Sequence, residues 1–298
     1  MTSIHTKTNL TCKCLCFERL VAAAASSFRI PPSQLVVVDL CSSYAKDLFN
    51  LEVVGIQPEN YFGFDNDVNA PTTAQQHYRT SLNLVTHLDL VKSDDQHIHD
   101  CIASAMASRS RHRRAHIVLA NFAIHLFAKD LGKIFRLVSS AQWAHPDGAL
   151  VQCSYISRDG IEGVIRNVTS YGSGVSYNPT SLTLTIEAMA KYVFDPTMKR
   201  MTPTILRENM NQGGFANNGV AEHIVSDDEI IEAARGNGFV SICEKDELAH
   251  IKLFYASIRR HMSDAKTTEK IVSCLNAFMT IHKTLFFVMH SRVSSSFV

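Results

Sequence analysis

Apolar positions recur at helical spacing over residues 10 to 27, and "PPSQ" at 31 to 34 breaks that run. The apolar, β-branched segment Leu35 to Leu40 that follows suits a strand buried on both faces of a parallel sheet. A short helix after Ala45 leads to "YFGFD", whose alternation ends on Asp65. "APTTAQQHYRTSL" then reads as a helix with Pro71 in its first turn. A third short strand ends near Asp89. "AHIVLANFAIHLF" reads as a fourth strand running into a turn, "KDLGKIFRLVSSAQWA" as a helix, "HPDG" at 145 to 148 as a turn, and "ALVQCSYIS" as the next strand.

Strands alternating with helices predict an α/β fold with a doubly wound, mostly parallel sheet. Between residues 160 and 220 the rhythm is lost. "YGSGVSYNPT", "DPTMKRMTPT" and "NQGGFANNG" are turn-rich, and only "SLTLTIEA" reads as a strand, so this stretch is expected to be an insertion or subdomain over one sheet face. The pattern resumes with "SDDEIIEAARGNGF", which has Ser226 as N-cap, acids in the first turn, and Gly236 and Gly238 beyond its end. "TLFFVMH" at 284 to 290 is a closing strand. The expected organisation is an N-terminal helical segment over 1–30, then one domain over 31–298 carrying the insertion at about 160–220. No internal repeat is present.

Composition narrows the class. The 298 residues are 46% hydrophobic and 19% charged with one Trp, an ordinary soluble globular profile. A formal net charge of +1 excludes coating of nucleic acid by bulk electrostatics, so any polyanion contact must be a local patch. "RSRHRRAH" at 109 to 116 is the best such patch, with a solvated charged loop as its plainer reading. Cys12, Cys14 and Cys16 have no second cluster at zinc-ligand spacing, so they read as reduced thiols on a helix rather than a metal site. A reducing, intracellular compartment, nucleus or cytoplasm, is expected. "LVAAAASS" at 20 to 27 reads as helix, not signal peptide, because Glu18 and Arg19 interrupt its approach. No run approaches the roughly 18 apolar residues that span a bilayer, and no membrane partner is expected.

In such sheets ligands lie beyond the carboxyl ends of the strands. Asp39, Asp65 and Asp89 occupy such places. An acid ending the second strand is placed for ribose hydroxyls, and one after the third for an adenine amino group. The first loop, within "VVVDLCSSYAKDL" at 36 to 48, has no G-x-G-x-x-G, which disfavours a pyrophosphate. A nucleoside without phosphates fits better, and S-adenosylmethionine needs close backbone approach but no phosphate cradle.

Four segments resemble one family. "DLCSSYAKDL", Asp39 to Leu48, is similar without a gap to the "DLGCGKGGDL" segment of cellular mRNA cap guanine-N7 methyltransferases. "YFGFDNDVNAPTTAQQHYR" looks like the family's "VGIDIA...A..RY". "VLANFAIHLF" resembles "SCQFALHYAF", with Asn121 on the family's Gln and Phe122 and His125 identical. "VAEHIV" at 220 to 225 looks like "VPEFLV" and puts Glu222 on an acid that recognises the cap guanine. The four occur in the family's order within residues 35 to 292.

The resemblance implies a class I methyltransferase, Rossmann-like fold of a divergent, viral kind. It implies S-adenosyl-L-methionine as cofactor, held by Asp39, Cys41, Ser43, Asp47, Asp65, Asp89 and Asn121. Phe122, His125 and Glu222 would bind the cap. The implied partners are a capped RNA 5' end and other capping-enzyme subunits. Guanine N7 is a lone-pair nucleophile and a sulfonium methyl is already activated, so transfer by proximity and orientation needs neither general base nor metal. Glu222 would accept from the guanine and offset its developing charge.

The chain also departs from the family. Cys41, Ser42, Ser43, Ala45 and Lys46, with Tyr44 between, stand where the motif is glycine-rich, and Leu126 replaces a Tyr. Lys46 is the hardest replacement to accommodate, and weaker cofactor binding is expected. Lys13 or Arg19 are candidates for the cofactor carboxylate, and Phe278 or His282 for the neighbourhood of a C-terminal cap-contacting Tyr. Arg109 to Arg114, Arg158 and Lys199/Arg200 are candidates for RNA phosphates. Two other readings stay open. One is a catalytically silent methyltransferase-fold subunit that binds a capping partner. The other is a methyltransferase for another RNA position or a small molecule, although no lysine-and-acid tetrad for 2'-O chemistry stands out.

Overall fold

A computed structural model describes residues 4–109, 114–121, 123–187, 190–197, 200–205, 222–242 and 265–289. In chain order the first elements are α1 (Ile4–Phe28), β1 (Val37–Leu40), α2 (Leu48–Val53), β2 (Tyr61–Asp65), α3 (Ala70–Tyr78), β3 (Val85–His87) and α4 (Asp95–Ala107). There follow β4 (Ile117–Asn121), α5 (Gly132–Ser139), β5 (Leu150–Ile156), α6 (Arg158–Arg166), β6 (Val175–Asn178), β7 (Thr183–Ile186), β8 (Ala190–Asp195) and β9 (Arg200–Ile205). The last are β10 (Glu222–His223), α7 (Asp227–Arg235), β11 (Phe239–Ser241), α8 (Ala265–Ile281) and β12 (His282–Met289). The chain divides into two compact units, one of 13–155, 228–243 and 284–298, the other of 1–12, 156–227 and 244–283.

The first unit is built on a seven-stranded sheet of order β11-β12-β5-β4-β1-β2-β3. β1 pairs in parallel with β2 and β4, β2 with β3, and β4 with β5, while β12 runs antiparallel to β11. The chain leaves β1 for β2 and β3 on one side and returns to β4 and β5 on the other. The switch point therefore lies at the carboxyl ends of β1 and β4, where such sheets open a ligand crevice. All four residues of β1 are buried, as its β-branched sequence requires. Val37, Tyr61 and Leu119 share one apolar cluster with Phe17, Leu20 and Val21 of α1 and Leu48 and Leu51 of α2.

The second unit is a five-stranded sheet of order β10-β9-β8-β7-β6, antiparallel throughout. Its core joins Leu184, Ile186, Tyr192 and Phe194 to Ile161 and Val164 of α6 and Leu275, Phe278 and Ile281 of α8. A Cβ on Gly160 would meet the Thr280 carbonyl, so only glycine lets α6 approach the end of α8 this closely.

Two expectations need correction here. The stretch read as turn-rich with one strand carries β6 through β9, because strands half exposed to solvent alternate threonine, serine and lysine with apolar residues. Second, α4 has no counterpart in the sequence reading. It starts from Asp94, which accepts the His97 amide at 2.8 Å, and buries Ile98, Ile102 and Met106 on one narrow stripe.

Candidate functional site

β1 ends at Leu40, and the loop 41–47 turns into α2 with an unusual backbone. Cys41, Ser43 and Ala45 have φ of 63°, 53° and 63°, three of the six non-glycine residues with positive φ among the described residues. L-residues meet a steric penalty of about 1–2 kcal/mol each in this region. These are three positions at which the resembled motif carries glycine. The loop thus keeps a glycine conformation with side chains present. Lys46 is not among them, so it is not the difficult replacement expected from the sequence. Its ammonium instead sits 4.9 Å from the centroid of the Tyr44 ring.

Hydrogen bonds hold this path. Ser42 N donates to the Phe64 carbonyl at 2.9 Å, and Ser43 N to Asp65 Oδ2 at 2.6 Å. Tyr78 of α3 donates its hydroxyl to the Ala45 carbonyl at 2.8 Å and accepts the Phe49 amide at 3.1 Å. Gly63 of β2 makes room: a Cβ there would lie 2.5 Å from Ser42 Oγ and 3.1 Å from the Leu84 carbonyl. The space a loop glycine would have left open is supplied by the neighbouring strand.

The three strand-end acids gather around this loop. The charges of Asp65, Asp39 and Asp89, together with the larger effect of burial, push the Cys41 thiol well above its usual range. Cys41 is therefore a neutral thiol flanked by carboxylates, not a nucleophile. Asp39, only 2% exposed, accepts the Tyr61 hydroxyl at 2.6 Å. Burial, and then the Asp39 charge, raise the Tyr61 phenol so that it remains a donor. Asp65 accepts Ser43 N on one oxygen and Asp67 N on the other at 3.0 Å. A carboxylate has about four acceptor sites, so capacity remains on both oxygens. Asp89 accepts the Val91 and Lys92 amides at 3.1 and 3.0 Å and pairs with Lys92 Nζ at 3.3 Å. The Lys92 amide, more than any other contact, holds Asp89 below the ordinary carboxylate range.

Asp47 and Asn121, both expected at the cofactor, are joined directly. Asn121 Nδ2 donates to Asp47 Oδ2 at 2.8 Å, and Gln152 Nε2 donates to Asn121 Oδ1 at 2.9 Å. Gln152, Tyr61, Tyr78 and Gly63 also shape this site, although no motif in the sequence marks them. Gln152 had a visible signal, a long amide in the middle of the buried strand "ALVQCSYIS".

On the cap side, Phe122 lies outside the described residues. His125 falls in a 3-10 turn over Ile124–Phe127 after β4, and Glu222 opens β10 opposite Met201, but the side chains of both lie outside the description. His125 belongs to the first unit and Glu222 to the second. Leu126, in the same turn as His125, is 41% exposed. Lys13 and Lys199 side chains are likewise outside the description.

Several candidates for RNA phosphate or cap contact are committed elsewhere. Arg109 donates to the carbonyls of Pro58 at 3.2 Å and Tyr61 at 2.7 Å and also to Asn83, and it lies 4.4 Å over the Phe62 ring. It thus ties down the amino ends of β2 and β3, opposite the strand ends that form the site. Residues 110–113 of the patch are outside the description. Phe278, 3% exposed, stacks on His282 at 4.0 Å and 18°, and His282 Nε2 meets Tyr192 Oη at 2.9 Å. Phe278 is thus buried against His282 rather than presented to a ligand. Lys283, which was not among those candidates, pairs with Asp227, which also takes the buried Ser157 hydroxyl at 2.7 Å. Ser157 in turn caps α6 at the Gly160 amide. That lysine is part of a helix-capping cluster.

Among the described residues no group of three His, Cys, Asp or Glu side chains could hold a metal ion, and no helix is long and apolar enough to cross a membrane. Cys14 and Cys16 lie on α1 as reduced thiols, and the Cys14 thiol donates to Asn50 Oδ1 at 3.3 Å.

No protein-family model and no curated protein matches the chain. Among solved structures, it is similar to the CcbJ methyltransferase from Streptomyces caelestis at 13% identity and a TM-score of 0.48, over 89% of this chain and 88% of that one. It is also similar to an S-adenosylmethionine-dependent methyltransferase from Clostridium acetobutylicum at 11% identity and 0.45, over 86% and 84%. A third is an S-adenosylmethionine-dependent methyltransferase from Mesorhizobium loti, at 14% identity and 0.46, over 90% and 96%. The sheet order, with the parallel run β5-β4-β1-β2-β3 and β12 between β5 and β11 and antiparallel to β11, is a Rossmann-like doubly wound arrangement.

Proposed function

We propose that this chain binds S-adenosyl-L-methionine and transfers its methyl group to guanine N7 of a 5' RNA cap. The observation that carries the cofactor part is the loop 41–47. Its backbone is left-handed at Cys41, Ser43 and Ala45, the positions of motif glycines, and one of its amides lies on Asp65. A chain with no use for that loop shape would be expected to relax it, since each such residue costs folding free energy.

The residues fit the cofactor. Asp65 retains acceptor capacity for ribose hydroxyls, and Asp89 stands at the neighbouring strand end for an adenine amine. Cys41, Ser43 and Ala45 bring backbone close without building a phosphate cradle. When bound, the cofactor supplies a methyl group already activated on a sulfonium. The chain's own task is to orient it and exclude water. The cap part rests on the "NFAIH" and "VAEHIV" resemblance alone. There Phe122 and His125 would meet the guanine, and Glu222 would accept from its N1–H and amine and offset the charge it gains.

A second reading, a silent subunit that docks on a capping partner, draws support from the side chains at all three left-handed positions and from Asp65 being already engaged. Calorimetry with S-adenosylmethionine separates the two. The enzyme reading expects saturable one-to-one binding and methylation of GpppG-RNA, with His125→Ala and Glu222→Ala each lowering the rate at least about tenfold. Absence of cofactor binding would favour the silent subunit. Turnover indifferent to both substitutions would leave a methyltransferase for another substrate.

A further inference from the structure

We infer that Gln152 is a positioning residue for the cofactor loop, acting through Asn121 and Asp47. Three facts carry this. Gln152 is 2% exposed in the middle of β5, on the strand beside Asn121. Its Nε2 donates to Asn121 Oδ1 at 2.9 Å, and Asn121 Nδ2 then donates to Asp47 Oδ2 at 2.8 Å. Its own Oε1 is the one buried side-chain polar atom without a partner among the described residues.

The orphaned oxygen is the informative part. A glutamine kept only to fill the core would be better replaced by methionine or leucine, which leave no acceptor stranded. Among the described residues the Gln152 side chain makes a single hydrogen bond, and that bond holds the oxygen side of the Asn121 amide. An asparagine amide can face either way. The Gln152 donor and the Asp47 carboxylate select the same orientation, since the flipped amide would set its NH2 against a donor and its oxygen against a carboxylate. Asp47 closes the loop just before α2, and as N-cap residue it makes no side-chain bond to the helix amides. Its carboxylate is therefore tied across to β4. The chain Gln152, Asn121, Asp47 fixes the downstream end of the loop, as Asp65 fixes Ser43 and Tyr78 fixes Ala45.

The inference rests on the cofactor-loop reading above for its consequence in binding, while its structural half is measurable without ligand. The variants are Gln152→Met, which keeps length and removes the donor, and Gln152→Glu, which keeps shape and replaces the donor with an acceptor. Both are compared with wild type and with Asn121→Ala. In the ligand-free protein, Gln152→Met should melt no lower than wild type, since the stranded oxygen is gone. Its amides over residues 45–48 should exchange about tenfold faster.

With S-adenosylhomocysteine as probe, Gln152→Met should bind about tenfold more weakly. Gln152→Glu should be no better, and the Gln152→Met/Asn121→Ala double variant should be no worse than Asn121→Ala alone. Additive losses, rescue by the isosteric Glu, or unchanged loop exchange in Gln152→Met would each overturn the positioning role. Failure of wild-type protein to bind the probe, with loop exchange still responding to Gln152, would remove the cofactor reading and keep the positioning role.

Discussion

Ser43 is held at φ 53° with its amide on Asp65, so the steric penalty and the hydrogen bond reside in one residue. Glycine at this position would relieve about 1–2 kcal/mol of left-handed strain and add about 0.5–1 kcal/mol of backbone entropy loss. Ser43→Gly should therefore stabilise the protein by about 0.5–1 kcal/mol, seen as a higher urea midpoint at unchanged slope. It should also bind S-adenosylmethionine more tightly, because a Cβ leaves the loop surface. A lower midpoint would mean that the serine side chain has a role no contact here reveals. Ala45 shares the conformation but is fully buried, and the methyl lost in Ala45→Gly contributes about 0.8 kcal/mol, so that variant should be near neutral. The two substitutions separate strain from burial at adjacent sites of one loop.

The loop keeps its shape through its neighbours: β2 contributes Gly63 and Asp65, α3 contributes Tyr78, and β4 contributes Asn121. Tyr78 is the most exposed to test, because its hydroxyl both donates to Ala45 and accepts from Phe49. Tyr78→Phe leaves the ring in place and should cost about 1–2 kcal/mol. Amide exchange should accelerate at Phe49 while the β1 amides stay protected. The strands of the parallel sheet were legible because a buried β-branched run such as Leu35 to Leu40 has few alternatives. The placing of Asp39, Asp65 and Asp89 at or just past the carboxyl ends of β1, β2 and β3 was legible because each follows or closes a short apolar run. Of the antiparallel sheet only β7, within "SLTLTIEA", was legible, since the other half-exposed strands read as turns beside their many Gly, Asn and Pro residues. Gln152 and Tyr61 escaped notice for another reason. A buried polar side chain has meaning only through the partner it meets, and those partners lie 31 and 22 positions away.

At the scale of the molecule, these buried donors set how stability responds to alkali. Burial pushes the Cys153 thiol from 9.0 to about 12, and burial likewise outweighs the Phe49 hydrogen bond to push Tyr78 from 10.0 to about 12. Tyr61 in the first unit and Tyr192 in the second are raised well above the phenol range, both chiefly by burial. Each is an acid that binds its proton more tightly when folded. Its contribution is complete below the unfolded value and is lost as pH rises toward the folded one. Stability should thus begin to fall near pH 9 as unfolded thiols ionise, and fall faster above about pH 10 as unfolded tyrosines follow. Asp89 and Asp130, held low by hydrogen bonds from the Lys92 amide and the Arg136 side chain, act at the other end. Their contribution is present above the ordinary carboxyl value and lost as pH drops below it. Urea midpoints measured from about pH 5 to 11 should show a plateau followed by a steep alkaline decline. Tyr78→Phe should reduce that slope above about pH 10, since one of the raised phenols is gone. A midpoint that stays level through pH 10 and beyond would mean that Tyr61 and Tyr78 are open to solvent, and with them the loop they hold.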